Sequence, residues 1–92
     1  LDITVEELSS EAKNSLGLDS KTSGILVKEV GDKNENLLNN DVIIQVSSEK
    51  IKDISSFQSM IANSIKLNRD KLLLRVIRDG NEFWLINPFV IE

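Results

Sequence analysis

Two short apolar runs near the middle of the chain carry the clearest hydrophobic pattern. They are Ile25–Val30 and Val42–Val46, and β-branched residues dominate both. Runs of this length and composition are typical of buried strands rather than helices. Gly24 precedes the first run, and the Asn-Asn-Asp sequence at 39–41 predicts a turn before the second. We therefore expect two central strands, with the rest of the chain packed around them.

The first part of the chain predicts an edge strand followed by a short helix. Residues 1–8 alternate apolar and polar side chains, the period-two pattern of a half-buried strand. Residues 9–16 begin with a serine that can cap a helix and include an apolar pair four residues apart. One or two helical turns should therefore end at Gly17, a residue that favours the position just after a helix.

A longer amphipathic helix is predicted over residues 54–67. Its apolar side chains recur at spacings of three, four and four, at Ile54, Phe57, Ile61 and Ile65. These spacings place the side chains on one face of a helix. Asp53 can cap the start, and the polar residues 68–70 should end it.

The last third of the chain predicts a hairpin. Residues 71–78 form one strand, Asp79 and Gly80 give a tight turn, and residues 82–87 form the second strand. Pro88 should stop regular pairing or confine the residues after it to an edge. A further minimal strand is expected at Ile51. The order β, short α, β, turn, β, β, α, β, β indicates an α+β sandwich or partly open barrel.

Length and charge limit the classes of protein. Ninety-two residues allow a single domain, 1–92, and 40% hydrophobic with 28% charged residues is an ordinary globular composition. The net charge of −4 without a basic stripe argues against a nucleic-acid surface. No apolar run approaches the roughly 18 residues of a membrane span. The start at Leu1 without a methionine suggests an excised domain.

The absence of cysteine and histidine limits the chemistry. Without them the chain has no disulfide, no thiol nucleophile, no Ser-His-Asp triad and no conventional zinc site. Catalysis could rest only on Asp, Glu, Lys or Ser, and these residues are not clustered in the sequence. We therefore expect a non-enzymatic chain that needs no cofactor.

The order and spacing of the motifs resemble those of PDZ domains. The first half is similar to the PDZ signature in Gly24-Ile25-Leu26-Val27-x-x-Val30 and in Leu38-x-x-Asp41-Val42-Ile43-x-x-Val46. The second half is similar in Ile51-x-x-Ile54-x-x-Phe57-x-x-x-Ile61 and in Leu74-x-Val76-x-Arg78-x-Gly80. The strand order looks like the permuted one of bacterial HtrA (Do-type) serine proteases, in which the ligand-pairing strand comes first. The resemblance implies a PDZ-like fold of five to six short strands with one long and one short helix.

The resemblance also implies a peptide site. In such domains a peptide adds as an extra strand beside the first strand and lies against the long helix. The residues assigned to peptide binding are Leu1, Asp2, Ile3, Thr4, Val5, Ile54, Gln58, Ile61 and Ala62. Asp2 stands where the family has a glycine in its carboxylate-binding loop, and it brings a like charge near a peptide terminus. We therefore expect weak binding or binding of internal segments. Because Ile54 rather than a hydrogen-bonding residue stands at the start of the helix, any ligand preference should be apolar.

The resulting interpretation is a non-catalytic module of a bacterial HtrA-type serine protease, most like its second PDZ domain and located in the periplasm. Its partners would be peptide or unfolded-protein segments, the protease domain and other protomers. One alternative is an assembly module that holds protomers together without a working groove. Another is a PDZ domain of a different processing protease or of a secretion component.

Overall fold

The computed structural model describes residues 3–31, 36–67 and 71–88, and its strands and helices follow one another in the order that the sequence predicts. In chain order the elements are β1 (Ile3–Glu7), α1 (Ser10–Ser15), β2 (Ile25–Val30), β3 (Val42–Val46), β4 (Glu49–Lys50), α2 (Ile54–Lys66), β5 (Lys71–Arg78) and β6 (Asn81–Pro88). The minimal strand predicted at Ile51 lies slightly earlier. Ser47 has a φ of 53°, so a two-residue turn returns the chain and pairing already begins between Val46 and Glu49.

The strands of the described residues form one antiparallel sheet. Its order is β1-β2-β3-β5-β6, with β4 paired to β3. The strands β1 and β6 therefore lie at opposite ends of the strand order. Pro88 still pairs with Lys71, as an edge strand permits. This architecture confirms the α+β class.

The core forms where the central strands, β5 and α2 meet. In β5 buried and more exposed residues alternate, so that one face of the strand points inwards. The buried apolar cluster consists of Ile25, Val27, Leu37, Ile43, Val46, Ile51, Phe57, Leu72, Leu74 and Val76. Gly24 is required at the start of β2, because a Cβ atom there would lie 2.5 Å from the backbone oxygen of Ile43.

Both helices are capped by residues that the sequence indicates. Asp53 accepts a hydrogen bond from the backbone N–H of Ser56 at 2.8 Å, and the Ser56 hydroxyl accepts one in return from the Asp53 N–H. The bond from the Ser56 backbone lowers the pKa of Asp53. Ser9 caps α1 by accepting from Ala12, and Gly17 follows that helix with a φ of 68°.

An ion pair ties the turn before β3 to the end of β5. Asp41 is only 1% exposed and accepts hydrogen bonds from Arg78 Nε and Nη2 at 2.8 and 2.7 Å. It also accepts from the Leu38 N–H at 2.9 Å, which confirms its predicted role in the turn. Arg78 further donates to the Asn36 carbonyl and lies 5.0 Å from the Phe83 ring. The hydrogen bond to Asp41 raises the pKa of Arg78.

Asn40 adopts the left-handed conformation in the same turn, with a φ of 72°. The PDZ signature that the sequence resembles has glycine at this position. Asparagine is among the non-glycine residues that best tolerate the left-handed conformation. The departure from the motif therefore leaves the turn intact.

Candidate functional site: the groove between β1 and α2

The strand β1 has one paired edge and one edge to which no other described strand is hydrogen-bonded. Its inner neighbour is β2, with Ile3 opposite Val30 and Glu7 opposite Ile25. The register shifts between Thr4 and Val5. An outer strand edge presents backbone N–H and C=O groups that can pair with an additional strand.

Beside this edge, α2 forms the second wall of an apolar groove of about 320 Å³. Its lining residues come from one face of β1 and one face of α2 and are Ile3, Val5, Phe57, Gln58, Ile61, Ala62 and Ile65. This volume lies at the lower end of the range of ligand pockets and suits a few side chains rather than a large cofactor. The groove can therefore accommodate apolar side chains next to a backbone edge that no other described strand occupies.

Two periodicities in the sequence build the groove. Ile3 and Val5 are two residues apart on a strand, so both side chains point to the same face. On α2, Phe57, Ile61 and Ile65 recur every four residues and form one stripe. Phe57 is nearly buried and serves as both core and groove floor.

One end of the groove is fixed by a hydrogen bond between its walls. The Oε1 atom of Glu7, at the end of β1, accepts from the backbone N–H of Ile54, in the first turn of α2, at 2.6 Å. Since this bond joins the end of one wall to the start of the other, β1 and α2 run in opposite directions. It also satisfies one of the helix N–H groups that lack a partner within the helix.

The structure brings together much of the set that the resemblance assigns. Ile3, Val5, Gln58, Ile61 and Ala62 line the groove. Thr4 has an exposed side chain that is not part of the lining, and Ile54 packs against the core beside it. Leu1 and Asp2 lie outside the described residues.

Three further residues belong to the site, and the sequence pattern does not assign them to it. Phe57 lies on the predicted apolar face of the helix, but only its position in the fold shows that it also lines the groove. Ile65 belongs to the apolar stripe that the sequence predicts, but the sequence does not show that this turn of the helix lines the groove. Glu7 gives no signal, because its partner Ile54 is 47 positions away in the chain.

The opposite end of the sheet has a different surface. On the outer face of the β5–β6 hairpin, Leu73, Trp84 and Ile86 are 41%, 45% and 59% exposed. Arg75 lies 5.1 Å from the Trp84 ring and forms a 2.8 Å ion pair with Glu82. Trp84 is therefore a half-exposed strand residue, and it forms an exposed apolar patch together with Leu73 and Ile86.

A larger cavity of about 510 Å³ lies on another side of α2, next to the β3–β4 turn. Hydroxyl and amide groups dominate its lining, including those of Ser47, Ser56, Ser59 and Asn63. It adjoins β3 and β4 rather than β1, and so lacks the combination of apolar walls and a free strand edge that distinguishes the β1–α2 groove.

Metal sites and membrane spans are two other kinds of feature that bear on function. In the part of the chain that the structure describes, no three Asp or Glu side chains come together in a way that could hold a metal ion. None of the helices found there has the length and apolar character needed to cross a membrane.

Comparison with known proteins identifies the fold. No protein-family model and no curated protein sequence matches the chain. Among solved structures, the chain is similar to the HtrA3 PDZ domain bound to a phage-derived ligand of sequence FGRWV. The two share 23% sequence identity with a TM-score of 0.66, and the match covers 96% of this chain and 79% of that one. Together with the strand order and the two helices, this similarity shows that the chain has a PDZ fold.

Proposed function

We propose that this chain is a peptide-binding module that takes extended segments as an additional strand on β1, against α2. The observation that carries the proposal is that the outer edge of β1 and an apolar groove lie side by side. The outer edge of β1 offers backbone hydrogen-bonding groups, and the apolar groove lies directly beside it. Strand addition uses this combination, in which the backbone supplies affinity and pockets supply selectivity.

The geometry of strand pairing gives the mode of selection. Side chains of paired residues lie on the same face of a sheet, so a ligand residue opposite Ile3 or Val5 would point into the groove. Ligand residues two positions apart would therefore enter the apolar lining, and those between them would face outwards. We expect a preference for apolar side chains at alternate positions.

Capture of a free C-terminus would use the backbone at Leu1, Asp2 and Ile3. Backbone N–H groups that converge on one point bind carboxylates, and the resemblance assigns this loop to that role. The resemblance assigns Asp2 to the same loop, where its negative charge would weaken the attraction. Peptide termini should bind weakly, and internal segments should compete with them.

We further propose that the module belongs to a bacterial HtrA-type serine protease of the periplasm. The supporting observations are the permuted order, with the candidate ligand-pairing strand first, and the fold shared with an HtrA3 PDZ domain. Catalysis would then reside in a separate domain, and this module would bind peptide or unfolded-protein segments for it. Other protomers of the parent protein would be its remaining partners.

A titration with a labelled FGRWV peptide tests the proposal. We expect saturable binding, tighter for a peptide ending in Val than for one ending in Ser because the groove is apolar. A C-terminally amidated peptide shows whether the carboxylate contributes, and Asp2→Gly should strengthen binding of the free acid several-fold. If neither the native chain nor the glycine variant binds any of these peptides saturably, the peptide-binding proposal fails.

A second candidate function is assembly through the opposite edge. The exposed patch of Leu73, Trp84 and Ile86 favours it, because a flat apolar surface is a common feature of protein contacts. In this case the chain would associate with other protomers of its parent protein. Sedimentation of the chain with and without Trp84→Ser distinguishes this role, since the variant should lower any self-association without changing peptide binding.

A further inference from the structure

The strand β1 changes character along its length. Its first half places Ile3 and Val5 in the groove, whereas its last two residues are the exposed Glu6 and Glu7. A ligand paired along the whole strand would therefore meet an apolar surface at one end and two carboxylates at the other.

Strand pairing assigns ligand positions to these two ends. If the ligand runs antiparallel to β1 with its C-terminus at the start of the strand, its last residue lies beside Ile3 and its third-last beside Val5. The fourth-last residue then lies beside Glu6, and the fifth-last beside Glu7. This direction rests on the proposed function, which places the ligand terminus at residues 1–3.

The carboxylate of Glu7 is held in position before any ligand arrives. Its bond to the Ile54 N–H fixes it at the end of the groove, where the two walls meet. A carboxylate has about four acceptor positions, and this bond uses one of them. A cationic ligand side chain can therefore donate to the same group without first displacing α2.

The basic residues nearby leave these carboxylates available. Lys28 Nζ lies 3.8 Å from Glu6 Oε1, and both side chains are about half exposed, so the pair is weak. Lys52 and Asp53 precede α2 and offset each other in charge. Glu29 lies opposite Thr4 on β2, so it adds a negative charge on the face of the sheet that Thr4 shares with Glu6.

We propose that Glu6 and Glu7 determine specificity by selecting peptides with Lys or Arg at the fourth- or fifth-last position, upstream of an apolar C-terminus. Charge complementarity favours the basic side chain, and the apolar groove sets the register that brings it to the glutamates. The ligand class is thus a short C-terminal segment with a basic residue at either of these two positions and an apolar end.

Three labelled peptides that differ only at these positions test the inference, namely GKKAWV, GQQAWV and GEEAWV. We expect the lysine peptide to bind about fivefold tighter than the glutamine peptide and at least tenfold tighter than the glutamate peptide at low salt. The double variant Glu6→Gln/Glu7→Gln should bring the three affinities within about twofold of one another. Raising the salt concentration should reduce the differences in the native chain.

The charge-matched control is Glu49→Gln/Glu82→Gln, which removes two exposed carboxylates from β4 and β6. It should keep the preference for lysine, whereas an equal loss in both double variants would assign the effect to net charge and overturn the inference. Equal binding of all three peptides by the native chain would also overturn it, while the proposed peptide groove would stand. If none of the three peptides binds, the proposed function itself fails.

Discussion

The two strands at the ends of the described sheet, β1 and β6, have outer edges with different surroundings. The edge strand β1 has five residues and lies against α2, which turns the space beside it into a groove. The edge strand β6 has eight residues and carries its exposed apolar side chains on an open face of the hairpin. The groove therefore lies beside the shorter of the two edge strands.

The β6 edge is also partly occupied by the chain itself. Asn36 donates from Nδ2 to the backbone oxygen of Ile86 at 2.8 Å, which engages one of the acceptors of that strand. The β1 edge instead uses a side chain, Glu7, to hold its helix wall in place. The comparison shows that the outer edge of β1 is a candidate peptide site because α2 forms an apolar wall beside it. The exposed apolar face of the β5–β6 hairpin is better suited to contact with the surface of another protein.

The largest expected effect on stability comes from removing the buried ion pair between Asp41 and Arg78, which joins the turn before β3 to the end of β5. Asp41→Ala should lower the free energy of unfolding by about 3 kcal/mol, the lower end of the range for removing one partner of a buried pair, because Arg78 is partly exposed. Urea unfolding measures the change. The matched control is Glu82→Gln, which breaks the exposed Arg75–Glu82 pair and should lose less than 1 kcal/mol. Similar losses in both variants would contradict this assignment.

A bulky side chain in the groove should weaken peptide binding, whereas a substitution on the β6 edge should not. Ala62 is exposed on the wall of the groove, so Ala62→Trp should block it and weaken FGRWV binding at least tenfold. The fold should be retained, since the helix-propensity cost of this change is only about 0.5 kcal/mol. Trp84→Ser on the opposite edge should leave the affinity within twofold. Unchanged binding in Ala62→Trp would place the peptide elsewhere on the molecule.

Acid should lower the stability of the chain in part through the cap of α2, the helix that forms a wall of the groove beside β1. The folded-state pKa of Asp53 is lowered by its bond from the Ser56 N–H, so its contribution is present above the ordinary pKa of 3.8. It is lost as the pH falls through the lowered value. Unfolding of the native chain between pH 6 and pH 2 should therefore show an acid decline that is shallower in Asp53→Asn. Parallel curves for the two proteins would exclude the cap as a cause.

The smallest expected effect concerns Trp84 as a reporter. It lies on β6, at the other end of the strand order from β1, so peptide binding should leave its emission maximum unchanged within about 2 nm. The measurement requires a ligand without tryptophan, such as FGRFV, and an independent label to show saturation. A clear shift at saturation would mean that a bound peptide reaches the β5–β6 hairpin.

The order of elements could be predicted from the sequence because each has a strong local signal. The β-branched runs at Ile25–Val30 and Val42–Val46, the apolar stripe of α2 and the capping role of Asp53 all act over a few residues. The same local logic placed Asp41 in a turn. It could not supply Arg78 as the partner of Asp41, because their contact depends on how β5 lies next to β3.

The features of the candidate site also divide into those set by local sequence and those set by tertiary packing. By itself, the sequence determined which side chains share a face of β1 and of α2, since strand and helix periods fix this locally. Only the tertiary structure decided that the two faces enclose a groove, that Phe57 is its floor, and that Glu7 joins the walls at one end. The physical reason is that these contacts join residues about fifty positions apart, and only the packing of α2 against the sheet brings them together.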